Sequence, residues 1–311
     1  MYKTNISVVV PLYRCSGTIK ELTERLQCSL CGITTDFEII FINDASPLND
    51  WKEVVEETSS DKRIKGINLS RNFGQHYAIS AGLFYSSGEW IVVMDGDLQD
   101  RPEEIPFLIK KALEGYDIVL ARRRNRQDSF LKQTMSKWFY KVLSYLTETE
   151  QNAEVANFGI YNRRVVNAIL SMKDKTRYFP TMVKWVGFPR TEIEVTHSAR
   201  EKGKSAYKFK SLLRLAMNTI LSFSDKPLRL TVTLGVYISA ISFLFAIYIF
   251  IKALLGKIEI IGYSSLIISI WFLSGVVITL LGMLGLYVGR TFDQVKDRPV
   301  FIVEQTINFE S

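Results

Sequence analysis

Two stretches without a single charged residue, 230–251 and 260–289, decide most of what this chain can become. The first has 22 residues, which as a helix rising ~1.5 Å per residue reaches ~33 Å, the thickness of a bilayer's hydrocarbon core. The second has 30, including Gly262, Gly275, Gly282, Gly285 and Gly289, enough to cross with tilt and to let a neighbouring helix approach closely. Together they predict a two-helix transmembrane hairpin. Lys226 and Arg229 precede it and Arg290, Lys296 and Arg298 follow it, so the positive-inside bias predicts a multi-pass protein of the inner (cytoplasmic) membrane with both termini cytoplasmic. Neither span carries an ionisable residue, which argues against a proton or ion path through the hairpin and sets a transporter aside.

The residues before the hairpin read as a separate soluble unit. Residues 1–5 run directly into the short apolar stretch 6–10, too brief for a signal-peptide core, so this unit is expected in the cytosol. Cys15, Cys28 and Cys31 have no second pair and no nearby histidine to complete a zinc site, and read as packing thiols. Strand-like runs at 6–10, 38–42, 64–68, 90–94 and 118–120 alternate with helical patterns at 18–27, 51–58, 76–85 and 102–114. Such alternation predicts an α/β fold, a mostly parallel sheet covered on both faces that binds ligands where its strands end. The expected order is a catalytic unit over 1–207, a juxtamembrane amphipathic segment over 208–229, spans at 230–251 and 260–289, and a cytoplasmic tail over 290–311.

Acidic motifs stand at two of those strand ends. Strand two finishes in Ile42-Asn43-Asp44-Ala45-Ser46 and strand four in Met94-Asp95-Gly96-Asp97-Leu98-Gln99-Asp100. An isolated Asp-Gly-Asp is more often a solvated turn than a site. Two acidic edges on one sheet shift the balance toward a hard divalent ion, Mg2+ or Mn2+, which takes one or two carboxylates and is completed by phosphate oxygens. Neither a G-x-x-x-x-G-K-[ST] loop nor a G-x-G-x-x-G turn follows a strand, which removes the main support for an NTPase or a dinucleotide dehydrogenase. The chain is basic, 39 Lys and Arg against 32 Asp and Glu. Arg122, Arg123, Arg124, Arg126, Lys132, Lys137 and Lys141 concentrate that charge, and ahead of a membrane hairpin they suit lipid phosphates better than nucleic acid.

These motifs, with Val8-Val9-Val10-Pro11-Leu12-Tyr13 and Arg101-Pro102-Glu103-Glu104, resemble family 2 glycosyltransferases of the GT-A fold. Arg71-Asn72-Phe73-Gly74-Gln75-His76, the stretch from Ala199 through Lys204 to Tyr207, and Leu284-Gly285-Leu286-Tyr287-Val288-Gly289-Arg290 narrow the resemblance to polyprenyl-phosphate glycosyltransferases, over about residues 6–305. The resemblance implies inverting transfer from a nucleotide sugar, of UDP type, to an undecaprenyl-type phosphate at the cytoplasmic membrane face, supplying a lipid-linked sugar for cell-envelope glycans. It implies a nucleobase pocket lined by Pro11, Tyr13 and Asp44, and a donor loop of Arg71, Asn72, Gly74 and Gln75. It further implies a metal-diphosphate site of Asp95, Asp97 and Gln99, and a homo-oligomer, a tetramer in the family. His76 reads as structural. Arg122, Lys132 and Ser136 are the acceptor-phosphate candidates, with Arg200 and Lys204 on a lid hinged at Gly203.

One position departs from the family pattern. Where many relatives carry an aspartate this chain has Asn157, which cannot act as a general base. A phosphate acceptor, with a second pKa near ~6, already presents an anionic oxygen, so Asn157 is expected to orient substrate rather than to move a proton. Two other readings stand beside this one. A non-catalytic sugar-nucleotide or lipid-binding homologue is suggested by Asn157 alone, and a polysaccharide synthase is disfavoured by the missing Gln-x-x-Arg-Trp motif. The segment 211–223, apolar on one side with Lys208, Lys210 and Arg214 at its start, is expected to lie in the membrane interface.

Overall fold

The computed structural model describes residues 4–123, 145, 155–195, 224, 226–255 and 262–309. The chain forms two compact units, Met1–Ser144 with Thr149–Lys208 and Arg298–Ser311 in one, Tyr145–Glu148 with Phe209–Asp297 in the other.

The first unit is built on one mixed sheet, with strands β1 (Ile6–Leu12), β2 (Phe37–Asn43), β3 (Ile64–Leu69), β4 (Trp90–Val93), β5 (Ile118–Arg123), β6 (Val155–Asn162), β7 (Arg190–Val195) and β8 (Val303–Ile307). Among the described residues the order is β7-β5-β6-β4-β1-β2-β3-β8. β6 and β8 run against the other six strands. The central strands are apolar on both sides because helices cover both faces. On one face Ile19, Leu22, Leu26 and Leu30 of α1 (Ile19–Cys31), Val54 of α2 (Asp50–Ser60) and Ile105, Leu108 and Ile109 of α4 (Ile105–Ala112) bury Val8, Val10, Ile39, Phe41 and Val92. On the other lies α3 (Gln75–Tyr85), with α5 (Arg163–Ser171) and α6 (Phe179–Trp185) beside it. α3 sits so close that a Cβ on Gly82 would stand 2.4 Å from Val9 Cγ1, which leaves room only for glycine.

From β1 the chain moves outward through β2 to β3, then returns to place β4 on β1's other side. That reversal opens a crevice beyond the carboxyl ends of β1 and β4, where ligands of open α/β sheets bind. Pro11 is tolerated at the end of β1 because the β4 pairing stops at Val9–Val93, two residues earlier, and removes the need for its missing N–H.

Residues expected as a tail do something else. After the second apolar helix the chain re-enters the first unit, and β8 pairs antiparallel with β3 at the sheet's edge.

The second unit contains α7 (Lys226–Leu254) and α8 (Tyr263–Val295), both long and apolar enough to cross a membrane. Pro227 lies in the first turn of α7, where a missing N–H costs nothing. Phe243, Trp271 and Ile278 are among the large apolar side chains these helices expose, as lipid contact requires. The amphipathic segment 211–223 lies outside the described residues.

Candidate active site

The loop after β4 is shaped by its own carboxylates. Asp100, almost wholly buried, accepts the Asp95 N–H through Oδ2 at 3.1 Å, and Asp97 Oδ1 accepts the Gln99 N–H at 3.2 Å. Between them Leu98 is held at φ 61°, a left-handed conformation costly for a residue with a side chain, ~1–2 kcal/mol. Its side chain packs against the core, which holds the turn in place. Backbone strain of this kind gathers at functional loops. Gly96 is required by space, since a Cβ there would meet Leu12 Cδ2 at 2.5 Å.

Neighbouring turns brace this loop. Thr18 Oγ1 donates to the Gly96 carbonyl at 2.9 Å, joining the start of α1 to it. Gln75, first residue of α3, donates through Nε2 to Asp95 Oδ1 at 2.6 Å and so fixes the orientation of that carboxylate. Cys15 packs beneath the loop, and its thiol is pushed up to about 12, mainly by burial, with the carboxylates of Asp50, Asp97 and Asp95 adding to the effect. The negative field around it is one that attracts a cation. Cys28 and Cys31, expected to pack, are exposed on α1.

Asp44 organises a second loop. Its two oxygens accept the N–H groups of Phe73 at 2.7 Å and Gly74 at 2.8 Å, and Asn72 Nδ2 donates to its carbonyl at 3.2 Å. Burial raises the Asp44 pKa above the ordinary carboxylate value, opposed by those two N–H groups and by Arg71. The bonds hold Gly74 at φ 107°, a conformation natural to glycine, and thereby aim Gln75 at Asp95. Tyr13 is exposed at the end of β1, Pro11 is buried, and Arg71 lies over the Phe73 ring at 4.1 Å.

Asn157 belongs to β6, two residues before Gly159, whose partner Val93 is two residues before Asp95. The antiparallel register thus brings Asn157 and Asp95 to the same edge. Arg122, exposed near the end of β5, pairs with Val155 and shares that edge. Lys132, Ser136, Arg200 and Lys204 lie outside the described residues. In the sequence Asp100 is only the last residue of the acidic motif after strand four, and Asp50 carries no motif at all. Asp50 is fully buried at the start of α2 and accepts the Cys15 N–H through Oδ2 at 2.9 Å.

Asp95 and Asp97 offer carboxylate oxygens and Gln99 an amide, a donor set suited to Mg2+ or Mn2+. Among the described residues no group of three or more His, Cys, Asp and Glu forms a metal cage. Two carboxylates that leave the remaining positions to substrate phosphate are the usual arrangement for these ions.

His76, expected to be a structural histidine, buries its Nδ1, which among the described residues meets no hydrogen-bond partner. Its ring meets Tyr178 edge-on at 4.8 Å, and burial lowers its pKa to about 4. The unfolded chain protonates this histidine near pH ~6.5 and the folded chain only near 4, so its stabilising contribution is present above 6.5 and is lost as pH falls through that window. The thermal midpoint of the wild type should therefore drop more between pH 6.5 and 4 than that of His76→Phe, and parallel profiles would refute the assignment.

The comparisons agree with this architecture. Residues 7–170 match the model of glycosyl transferase family 2. An uncharacterised glycosyltransferase of Synechocystis is 37% identical over 98% of this chain and 96% of its own. The undecaprenyl-phosphate 4-deoxy-4-formamido-L-arabinose transferase of Proteus mirabilis is 32% identical over 97% and 94%. Glucosyl-3-phosphoglycerate synthase of Mycobacterium tuberculosis, crystallised with Mn2+, UDP and phosphoglyceric acid, superposes with a TM-score of 0.50 at 14% identity, covering 71% of this chain and 77% of that one, a likeness of fold. With a GT-A sheet, its acidic turn at the β1/β4 crevice and relatives matched along nearly their whole length, the chain belongs to glycosyl transferase family 2 and is a glycosyltransferase.

Proposed function

We propose that this glycosyltransferase moves a sugar, with inversion, from a UDP-type nucleotide sugar to an undecaprenyl-type phosphate at the cytoplasmic face of the membrane. The observation that carries the reading is one chain that combines the Asp95–Asp97 turn at a sheet's ligand-binding edge with two membrane-length helices. The Proteus relative is named for undecaprenyl phosphate, and the Mycobacterium neighbour was crystallised with UDP and Mn2+, which supports both substrate classes. Strands before the hairpin and β8 after it belong to one sheet, which supports a topology with both ends of the hairpin on the same side of the bilayer. The flanking positive charges make that side the cytoplasm.

Pro11, Tyr13, Arg71 and Asn72 would receive the nucleoside. Asp95, Asp97 and Gln99 would hold Mg2+ or Mn2+. Such an ion supplies screening of the charge that gathers on a departing nucleoside diphosphate. Gln75 keeps Asp95 oriented, and Asp100 holds the turn that presents it. Arg122, with Lys132, Ser136, Arg200 and Lys204, would receive the acceptor phosphate, whose oxygen attacks already ionised. Asn157 orients substrate by hydrogen bonding.

Membranes containing the protein, supplied with labelled nucleotide sugars, polyprenyl phosphate and Mg2+ or Mn2+, should pass label into the organic phase. Nucleotide binding without transfer from any donor would favour a non-catalytic homologue. In the same assay Asn157→Asp should stay within about threefold of the wild type, because an ionised acceptor gains little from a base whose contribution is otherwise ~10²–10⁴. A rise beyond tenfold would show that proton abstraction limits this chain.

A further inference from the structure

The strand that follows the hairpin contains a β-bulge. Asn68 of β3 pairs with Gln305 and Leu69 with Val303, so Glu304 is the extra residue on β8. Bulges at sheet edges re-aim side chains, and here the Glu304 carboxylate accepts from Asn68 Nδ2 at 2.9 Å. The contact continues inward. Asn68 Oδ1 accepts from Asn43 Nδ2 at 2.8 Å, Asn43 Oδ1 from the Ser46 N–H at 3.2 Å, and Ser46 Oγ from the Arg14 N–H at 3.1 Å. Each amide donates toward β8 and accepts from the site, a single consistent polarity running from exposed Glu304 to buried Asn43 and then to both turns beside Tyr13 and Asp44.

A second route joins the same segment to α3. Tyr77 OH donates to the Lys175 carbonyl at 3.1 Å, and Lys175 Nζ donates to the Arg298 carbonyl at 3.0 Å. Phe84 meets Phe301, and Tyr85 meets Phe309, ring against ring. The chain after the hairpin is therefore bonded to the loops of the nucleotide pocket, not merely laid along the sheet's edge.

We infer that Glu304 is a positioning residue for the nucleotide, acting through Asn68 and Asn43 on the Ser46 and Arg14 turns. The inference rests on reading the β1/β4 crevice as the donor site. The full-length protein in lipid nanodiscs is titrated with UDP and Mn2+, with GDP and CDP in parallel, and assayed for transfer. Glu304→Ala should raise the UDP Kd and the donor KM about threefold, because the turns at the end of its hydrogen-bond chain are held less firmly, with acceptor KM unchanged and the thermal midpoint lowered by at most ~2–4 °C, the size of one lost intramolecular bond. Glu304→Gln, which keeps an acceptor oxygen, should remain within about twofold of the wild type. Asn68→Asp sets two carboxylates against each other and should weaken UDP further, whereas adding Glu304→Gln to it restores a donor and recovers binding. Unchanged UDP affinity in Glu304→Ala, or equal rises in both KM values with a midpoint lowered beyond that range, would overturn the inference and leave the donor site standing. A wild type that takes up none of the three nucleotides would overturn both.

Discussion

Asp97→Ala should reduce sugar transfer at least ~10²–10³-fold, the size expected when a group that stabilises developing charge is removed. Alanine also removes the bond to the Gln99 N–H, so the loss alone would not distinguish an ion ligand from a turn former. Asp97→Asn makes the distinction, because its amide oxygen can still accept from Gln99 while the charge is gone. Both variants should fall together if the charge is what matters. Loss of the Gln99 N–H bond by itself lowers stability by only ~1 kcal/mol, so a thermal midpoint that moves little while transfer collapses separates the lost charge from a collapsed turn. Asparagine retaining activity within tenfold of the wild type would reduce Asp97 to a piece of turn geometry.

The outcome bears on how sequence and structure divide the information. The central strands were legible because 6–10, 38–42 and 90–94 are largely apolar runs suited to a sheet covered on both faces, and with 64–68, which carries Ile64 and Ile67, they became β1 to β4 with ends shifted by a residue or two. β7 and β8 were not legible. Arg-Thr-Glu-Ile-Glu-Val and Val-Glu-Gln-Thr-Ile are short, polar on one face and lie on the sheet's two edges, where a partner strand decides pairing more than propensity does. Reading 290–311 as a tail follows from that, since nothing local in residues 303–307 announces a partner more than 230 residues earlier.

The candidate site divides the same way. Asp95, Asp97 and Gln99 stand within five residues and carry their pattern on the surface of the sequence. What holds them does not. Gln75 reaches Asp95 across 20 positions, Asp44 reaches Phe73 and Gly74 across 29 and 30, and Glu304 reaches Asn68 across 236. No spacing rule covers such pairs, because the sheet's crossovers create them.

Asp44 is where this matters most. The family resemblance makes it a nucleobase contact, whereas its carboxylate oxygens lie against two backbone N–H groups, deep enough to be almost unexposed. Asp44→Asn sets an amide N–H2 against one of those backbone donors, which leaves a buried N–H without an acceptor at a cost of ~1–3 kcal/mol. The loop should then release Gly74 from φ 107° and Gln75 from Asp95, so transfer should fall ~10²-fold while chemical denaturation shows the stability loss directly. A residue whose sole duty was to read the base would behave otherwise. Its replacement would leave the denaturation midpoint in place and change the preference among UDP, GDP and CDP. Stability and base preference measured on the one variant therefore decide whether Asp44 builds the pocket or reads what enters it. The bonds to Phe73 and Gly74 predict a fall in stability, with all three nucleotides weakened alike.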